Sequence, residues 1–367
     1  MTANTQPNQS RGSRLMTLLF GGDAPKPRVY DLLTDDHPYR LYWGKESARF
    51  KAVLRGVVFA AACFGIMTVG SAIAMVPAIL SALASSPDDI ANVDTDALID
   101  DMIRDMRSPV MIATSAMQLI GAIVAYVIIV WVMEKRKSPV ELRWRRLVPD
   151  LLRGMAFGFV AIGVSLVVIA LFGGYRIVGF DDGYSPWVDL FLMGVVAGIS
   201  EEIMMRGVLF RLVEEWTGTW GALGISAFVF GIMHWGNADG TLWGGIAIAI
   251  EAGLLLAAVY VVTRSLWWCM GLHFMWNVAE GPIFGSIVSG NGDQRSWLVT
   301  QWAGPDWLTG GRFGFEASVV PVILLGTVSV LLMLYARRRG MIVAPIWTRK
   351  RTLAAQAEES RRQRAFV

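Results

Sequence analysis

Apolar stretches of about twenty residues recur along this chain, and each is long enough to cross a hydrocarbon core of roughly 30 Å as a helix. They fall at 53–83, 109–133, 154–175, 187–213, 219–235, 241–263, 265–289 and 317–336. Eight such segments predict an all-α fold, a polytopic bundle of about eight transmembrane helices in the cell membrane. The composition agrees: 54% of the 367 residues are hydrophobic, 17% are charged, and the mean hydropathy is +0.48. A soluble domain carries nearer a quarter charged residues. The fifth segment is short, and the sixth and seventh nearly touch at Arg264. Pro77 is placed to kink the long first span.

Loop charges give the orientation. The stretch from Arg11 to Lys51 carries eight Lys or Arg, and that from Glu134 to Arg153 carries seven. The tail after the last span begins Arg337-Arg338-Arg339 and ends with Arg361, Arg362 and Arg364. The segment from Ala84 to Ser108 instead holds seven Asp and two Arg. Eight spans put all three basic segments on one side, which predicts cytoplasmic termini. The division is then a cytoplasmic segment at 1–52, a transmembrane domain at 53–336 and a basic cytoplasmic tail at 337–367. The stretch LMTLLF (15–20) is too brief for a signal peptide, so the first span is its own insertion signal. Residues 90–102 repeat Ile90, Val93, Leu98 and Met102 at helical spacing, which predicts a short outer helix, a solvated cap rather than a lid. The outer stretch 289–316 reads as irregular but packed. Trp267-Trp268 reads as an interfacial anchor, and the basic tail as a solvated end near anionic headgroups. Cys63 and Cys269 read as small buried hydrophobes rather than a disulfide or metal pair. Nothing points to nucleic acid.

Against this apolar background, Glu201, Glu202 and Arg206 sit inside the fourth segment. Ionisable side chains at the bilayer centre cost roughly 2.5 to 3.5 kcal/mol each. Three of them facing lipid as charges would cost about 8 to 10 kcal/mol. Such residues face protein or water and do something there. Two of the three histidines, His234 and His273, lie on neighbouring spans; His37 lies in the polar N-terminal segment and reads as inert. Counting about 1.5 Å of rise per residue from the turn at Thr217-Gly218 brings Glu202 and His234 to one level. Counting inward from Arg264 and Arg211 puts His273 and Glu201 near the midplane as well. Glu202 and Arg206 are spaced to pair along one helix face, and His273 and Asn277 to project together. Phe230 is placed to pack beneath His234. Arg206 and Arg211 lead toward the cytoplasmic face, so a polar cavity is expected to open there.

The strings EEIMMR (201–206), FGIMH (230–234) and HFMWN (273–277) read as EExxxR, FxxxH and HxxxN. In this order on successive spans they resemble the CAAX-protease and bacteriocin-processing (CPBP, or Abi) family of intramembrane endopeptidases. That family includes the Ras-converting CAAX endopeptidase. The resemblance covers roughly 187–290, and the motif positions match without departure. It implies a hydrolase acting on a peptide bond of a membrane-associated protein or peptide, prenylated or otherwise lipid-associated substrates included. Glu201 would then activate a water held by His234, His273 and Asn277 would stabilise the oxyanion, and Glu202 with Arg206 would orient and balance the site. The chemistry is sound for these residue types, since a carboxylate in a low-dielectric pocket acts as base and then acid. Neutral His and Asn side chains donate to a developing oxyanion.

Competing readings exist for each part. Glu202 with Arg206 also suits a structural salt bridge, and His273 with Asn277 an interhelical hydrogen-bond pair worth about 0.6 kcal/mol. Glu202, His234 and His273 also amount to three ligands for zinc with a fourth position left for water. No HExxH occurs, however, and Arg206 and Asn277 suit carboxylate and oxyanion partners better; the expectation is a site without a cofactor. A proton-coupled transporter would use the same residue types. That class brings inverted repeats and paired broken helices, and the polar cluster here reads as confined to spans four, five and seven.

Overall fold

The computed structural model describes residues 11–20, 48–85, 107–134, 136, 138–292 and 295–365. His37 and the 90–102 segment lie outside the described residues. The described chain is a helical bundle: α1 (Arg11–Phe20), α2 (Ala48–Ser85), α3 (Pro109–Met133), α4 (Leu147–Leu171), α5 (187–210), α6 (Arg211–Trp235), α7 (Leu242–Thr263), α8 (266–283), α9 (Val319–Arg338) and α10 (Ile346–Ala365). Five are long and apolar enough to cross a membrane: Ala52–Ser81, Pro109–Met133, Trp144–Leu171, Leu242–Thr263 and Val319–Arg338. The three remaining expected spans are helical but less apolar. α5 carries Asp189, Glu201, Glu202 and Arg206, the second arm of α6 is short, and α8 carries His273, Asn277 and Glu280. These three bear the sequence motifs.

Several boundaries moved for identifiable reasons. α4 starts at Leu147 rather than 154, because its charged first turns are helical: Arg146 pairs with the fully buried Asp150 at 2.9 Å, and Arg153 reaches it at 3.2 Å. An acidic side chain in the first turn also suits the helix dipole. α4 ends at Leu171, and Tyr175–Phe180 forms strand β1, antiparallel to β2 (Leu298–Trp302) with an irregularity between Ile177 and Gly179. The 289–316 stretch is therefore partly ordered as sheet. Pro77 lies within α2, whose helix runs on to Ser85.

Two close approaches set the bundle. Gly154 and Gly158, four apart on α4, face the α8 backbone, Gly154 at Trp268 to Leu272 and Gly158 at Leu272 to Trp276. A Cβ at Gly154 would lie 2.2 Å from the Trp268 carbonyl oxygen, and one at Gly271 would lie 2.3 Å from that of Leu151. Small residues at this spacing let helix backbones touch. The second is at Gly218, which breaks α6 with φ 76°, a conformation that glycine alone adopts cheaply. The turn is latched by the chain after α9, since Thr219 N donates to Val343 O at 3.0 Å and Val343 N to Thr219 Oγ1 at 2.8 Å.

Chain ends also pack inward. Phe20 of α1 is buried and stacks on Trp268 at 5.4 Å, whose Nε1 donates to Leu19 O at 3.1 Å. Trp268 is thus a buried clasp, not an interfacial anchor. In α10, Arg349 is buried and donates to Glu215 O, while most of the tail stays exposed. Both cysteines are buried and free.

One end of the bundle is bound by ion pairs. Glu134 meets Arg55 at 2.8 Å and Arg211 at 2.6 Å, and Arg55 also meets Glu215 at 2.6 Å. Glu141 accepts from Arg136 and Tyr126, and Glu214 is gripped by both terminal nitrogens of Arg264. At the opposite end, Arg107 and Tyr184 both bond Asp189, and Asn237 donates to Ser289 O.

Candidate active site

Glu201 and Glu202 sit on a short α-helical stretch, Gly198–Glu202, between two π-helical ones, Leu190–Ala197 and Ile203–Phe210. Such widened turns are rare and gather at functional sites. Gly198 crosses α8 so closely that a Cβ there would lie 3.0 Å from Phe274 N. That contact brings the two glutamates beside His273. The arms of α6 and α5 fold back on each other at Gly218, which returns His234 to the same level.

Glu202 is fully buried. Its Oε1 accepts from Arg206 Nη1 at 2.8 Å and from His273 Nδ1 at 2.9 Å. Arg206 is equally buried, donates through Nη2 to Gly253 O at 3.1 Å, and lies over the Phe230 ring at 5.1 Å. Gly253 belongs to another π-helical stretch, Ala249–Leu254. Phe230 packs under His234 with ring centroids 4.4 Å apart, and its carbonyl bonds His234 Nδ1 at 2.8 Å. A carbonyl only accepts, so Nδ1 of His234 carries the proton and Nε2 of the neutral ring presents a lone pair.

Glu201 turns the other way. Its side chain is 17% exposed, and Oε2 lies 4.0 Å from His234 Nε2 and 3.9 Å from His273 Nε2. That oxygen has no direct hydrogen-bond partner. The two glutamates thus divide His273 between them, Glu202 at Nδ1 and Glu201 at Nε2. Asn277, a turn beyond His273, donates to Met193 O at 2.9 Å. Glu201, His234, His273 and Asn277 line one cavity of about 370 Å³, while Glu202 and Arg206 stand behind it.

The zinc set Glu202, His234 and His273 does not converge. Glu202 meets His273 at the ring nitrogen turned away from Glu201, and its Oε1 is already held by Arg206. The separations from Glu201 Oε2 to the two Nε2 atoms also exceed the roughly 3.4 Å between ligands of a tetrahedral zinc site. Among the described residues, no group of three or more His, Cys, Asp or Glu is arranged to hold a metal ion.

Other expectations need correction. Arg206 and Arg211 do not lead into open water, since both are buried and paired with Glu202 and Glu134. The cavity is lined instead by residues toward the far end of the bundle, among them Met111, Ser115, Leu192, Asn237 and Ser289. His234 is one residue from the end of α6, so the site lies nearer that end than a midplane count suggests. Nor is the polar cluster confined to three spans. Gln118 of α3 lines the cavity and donates to Ser200 Oγ at 3.1 Å. Glu316 lines it too, accepting from Trp276 Nε1 at 2.9 Å and Ser289 Oγ at 2.7 Å. Glu251 and Glu280 are fully buried and feel the charge of Glu316; neither oxygen of Glu251 has a hydrogen-bond partner, whereas Glu280 is within reach of Glu316 and Ser286. The signal for Gln118 and Glu251 was present: each is a lone polar residue inside an apolar span.

Residues 183–279 match a family model described as Rce1-like, type II CAAX prenyl endopeptidase. That stretch contains all seven motif residues, Glu201 through Asn277. Comparison with curated proteins and with solved structures gave no match.

Proposed function

We propose that this chain, whose residues 183–279 match the Rce1-like type II CAAX prenyl endopeptidase model, is an intramembrane endopeptidase of the glutamate type. The observation that carries the reading is the unpartnered Oε2 of Glu201, set 3.9–4.0 Å from two imidazole Nε2 atoms. These gaps are too long for direct hydrogen bonds and suit one bridging water.

The reaction proceeds in two steps. Glu201 takes a proton from the water as its oxygen forms a bond to the scissile carbonyl carbon, with His234 Nε2 accepting the second O–H and fixing the attack direction. The carbonyl oxygen becomes an oxyanion, stabilised by Asn277 and His273. His273 already donates Nδ1–H to Glu202, so its Nε2 donates to the oxyanion when the ring is doubly protonated, a charge that Glu202 balances. The C–N bond then breaks, and Glu201 returns its proton to the leaving amine nitrogen. Arg206 positions Glu202 and thereby the His273 ring.

The cavity walls add Leu192, Val196, Met233, Ile248 and Leu256, which suit a membrane-associated protein or peptide with apolar residues around the scissile bond. The test uses the full chain in liposomes with quenched fluorescent peptides. Glu201→Gln and His234→Ala are expected to abolish cleavage while the inserted, folded fraction stays unchanged. Substantial residual cleavage in either would overturn the assignment, and proton flux without cleavage would favour a transporter.

A further inference from the structure

The catalytic cavity and the basic surface lie at opposite ends of the bundle. At one end stand the 134–153 segment, the Gly218 turn, the junction at Arg264 and the chain after α9, tied together by Glu134–Arg211, Arg264–Glu214 and the Arg146 bond to Thr263 O at 3.0 Å. Arg143, Arg145, Arg337, Arg338 and Lys350 are exposed there. At the other end stand the β1–β2 pair and the segments around 107–111, 187–192, 235–242 and 284–318. Of its exposed arginines, Arg295 and Arg312 are each bound to an aspartate, Asp181 and Asp239, and Arg176 to Gln301. Lys and Arg collect on the cytoplasmic side of membrane proteins, which assigns the first end to the cytoplasm.

Met111 and Ser115 of α3, Leu192 of α5, and Asn237, Ser289 and Asn291 beyond α6 and α8 carry the cavity wall to the second end. Toward the first end, the way from Glu201 is filled by Arg206 and Arg211, both buried in ion pairs. Building on the protease reading, we infer that the substrate enters from the non-cytoplasmic face. It is then a peptide already translocated, or a segment anchored in the outer leaflet. A lipidated tail made in the cytoplasm would need to cross the membrane before it could be cut.

Sidedness and cleavage are tested separately. Cys63 and Cys269 are buried, so single reporters stand out: Asp182→Cys at the far end, Ser115→Cys in the cavity and Arg145→Cys at the basic end. A membrane-impermeant maleimide applied to intact cells is expected to label the first two and to reach Arg145→Cys only after permeabilisation. Labelling of Arg145→Cys in intact cells, or of Ser115→Cys only from the side that exposes Arg145→Cys, overturns the inference. Trp307→Cys, also exposed at the far end, replaces Asp182→Cys if that variant fails to insert. Impermeant quenched peptides are expected to be cut by right-side-out vesicles and not by inside-out ones, with Glu201→Gln as the blank; the reverse pattern overturns it. Cleavage in neither orientation and none in detergent counts against the protease reading, while the labelling still decides the face.

Discussion

The carboxylates at the basic end and those around the cavity are treated in opposite ways. Glu134, Glu214 and Glu215 each meet an arginine from a different part of the chain, and Glu141 meets the nearby Arg136. Around the cavity, Glu201 Oε2 and both oxygens of Glu251 have no hydrogen-bond partner. A buried charge without a counterion costs several kcal/mol, whereas a matched pair roughly offsets its own desolvation. One end therefore joins helices by pairing its charges across them. The centre leaves groups unsaturated, and such exceptions to local rules collect where chemistry is done.

The contrast can be broken at either side. The largest effect belongs to Glu201→Gln, which removes the proposed base and lowers kcat/KM by about 10²- to 10⁴-fold; thermal unfolding in detergent should hold steady or rise. Arg211→Met at the basic end should do the reverse, costing about 3–5 kcal/mol of stability because Glu134 loses a buried partner, with kcat per folded molecule retained. Asn277→Ala should reduce kcat about 10²- to 10³-fold if its amide meets the oxyanion, and a change confined to KM would remove it from that role. Glu251→Gln, which deletes an unmatched acid without changing its shape, should leave unfolding unchanged or stabilise by about 1 kcal/mol. A loss like that of Arg211→Met would mean Glu251 holds a partner after all. Smallest of all, a chelator should leave the cleavage rate of metal-free protein unaltered; abolition with recovery on adding zinc would replace the water mechanism.

Local spacing made much of this legible in sequence. The i,i+4 pair Glu202–Arg206, the placing of Phe230 under His234, and the return of His234 to the level of Glu202 about a turn at Gly218 follow from helix geometry alone. The segments that became α2, α3, α7 and α9 stood out by length and apolarity. Three things did not. The β1–β2 pair joins residues more than a hundred positions apart, with β1 directly abutting a span whose apolar pattern masked it. The facing of the cavity turned on whether Arg206 and Arg211 meet water or glutamate, and Glu134 lies on another helix, far away in sequence. Glu251 and Glu280 escaped because the motif strings drew attention to residues clustered on one face.

The clasp of Phe20 and Leu19 on Trp268 has a kinetic consequence. Trp268 lies just over one turn before His273 on α8, and its bond to Leu19 spans 249 residues of chain. Contacts of such long separation form late, because loop closure has to be completed first. During synthesis the opening segment must wait for nearly three quarters of the polypeptide before it can dock. In a nascent chain the helix that carries His273 would thus stay unclasped until it has itself been made.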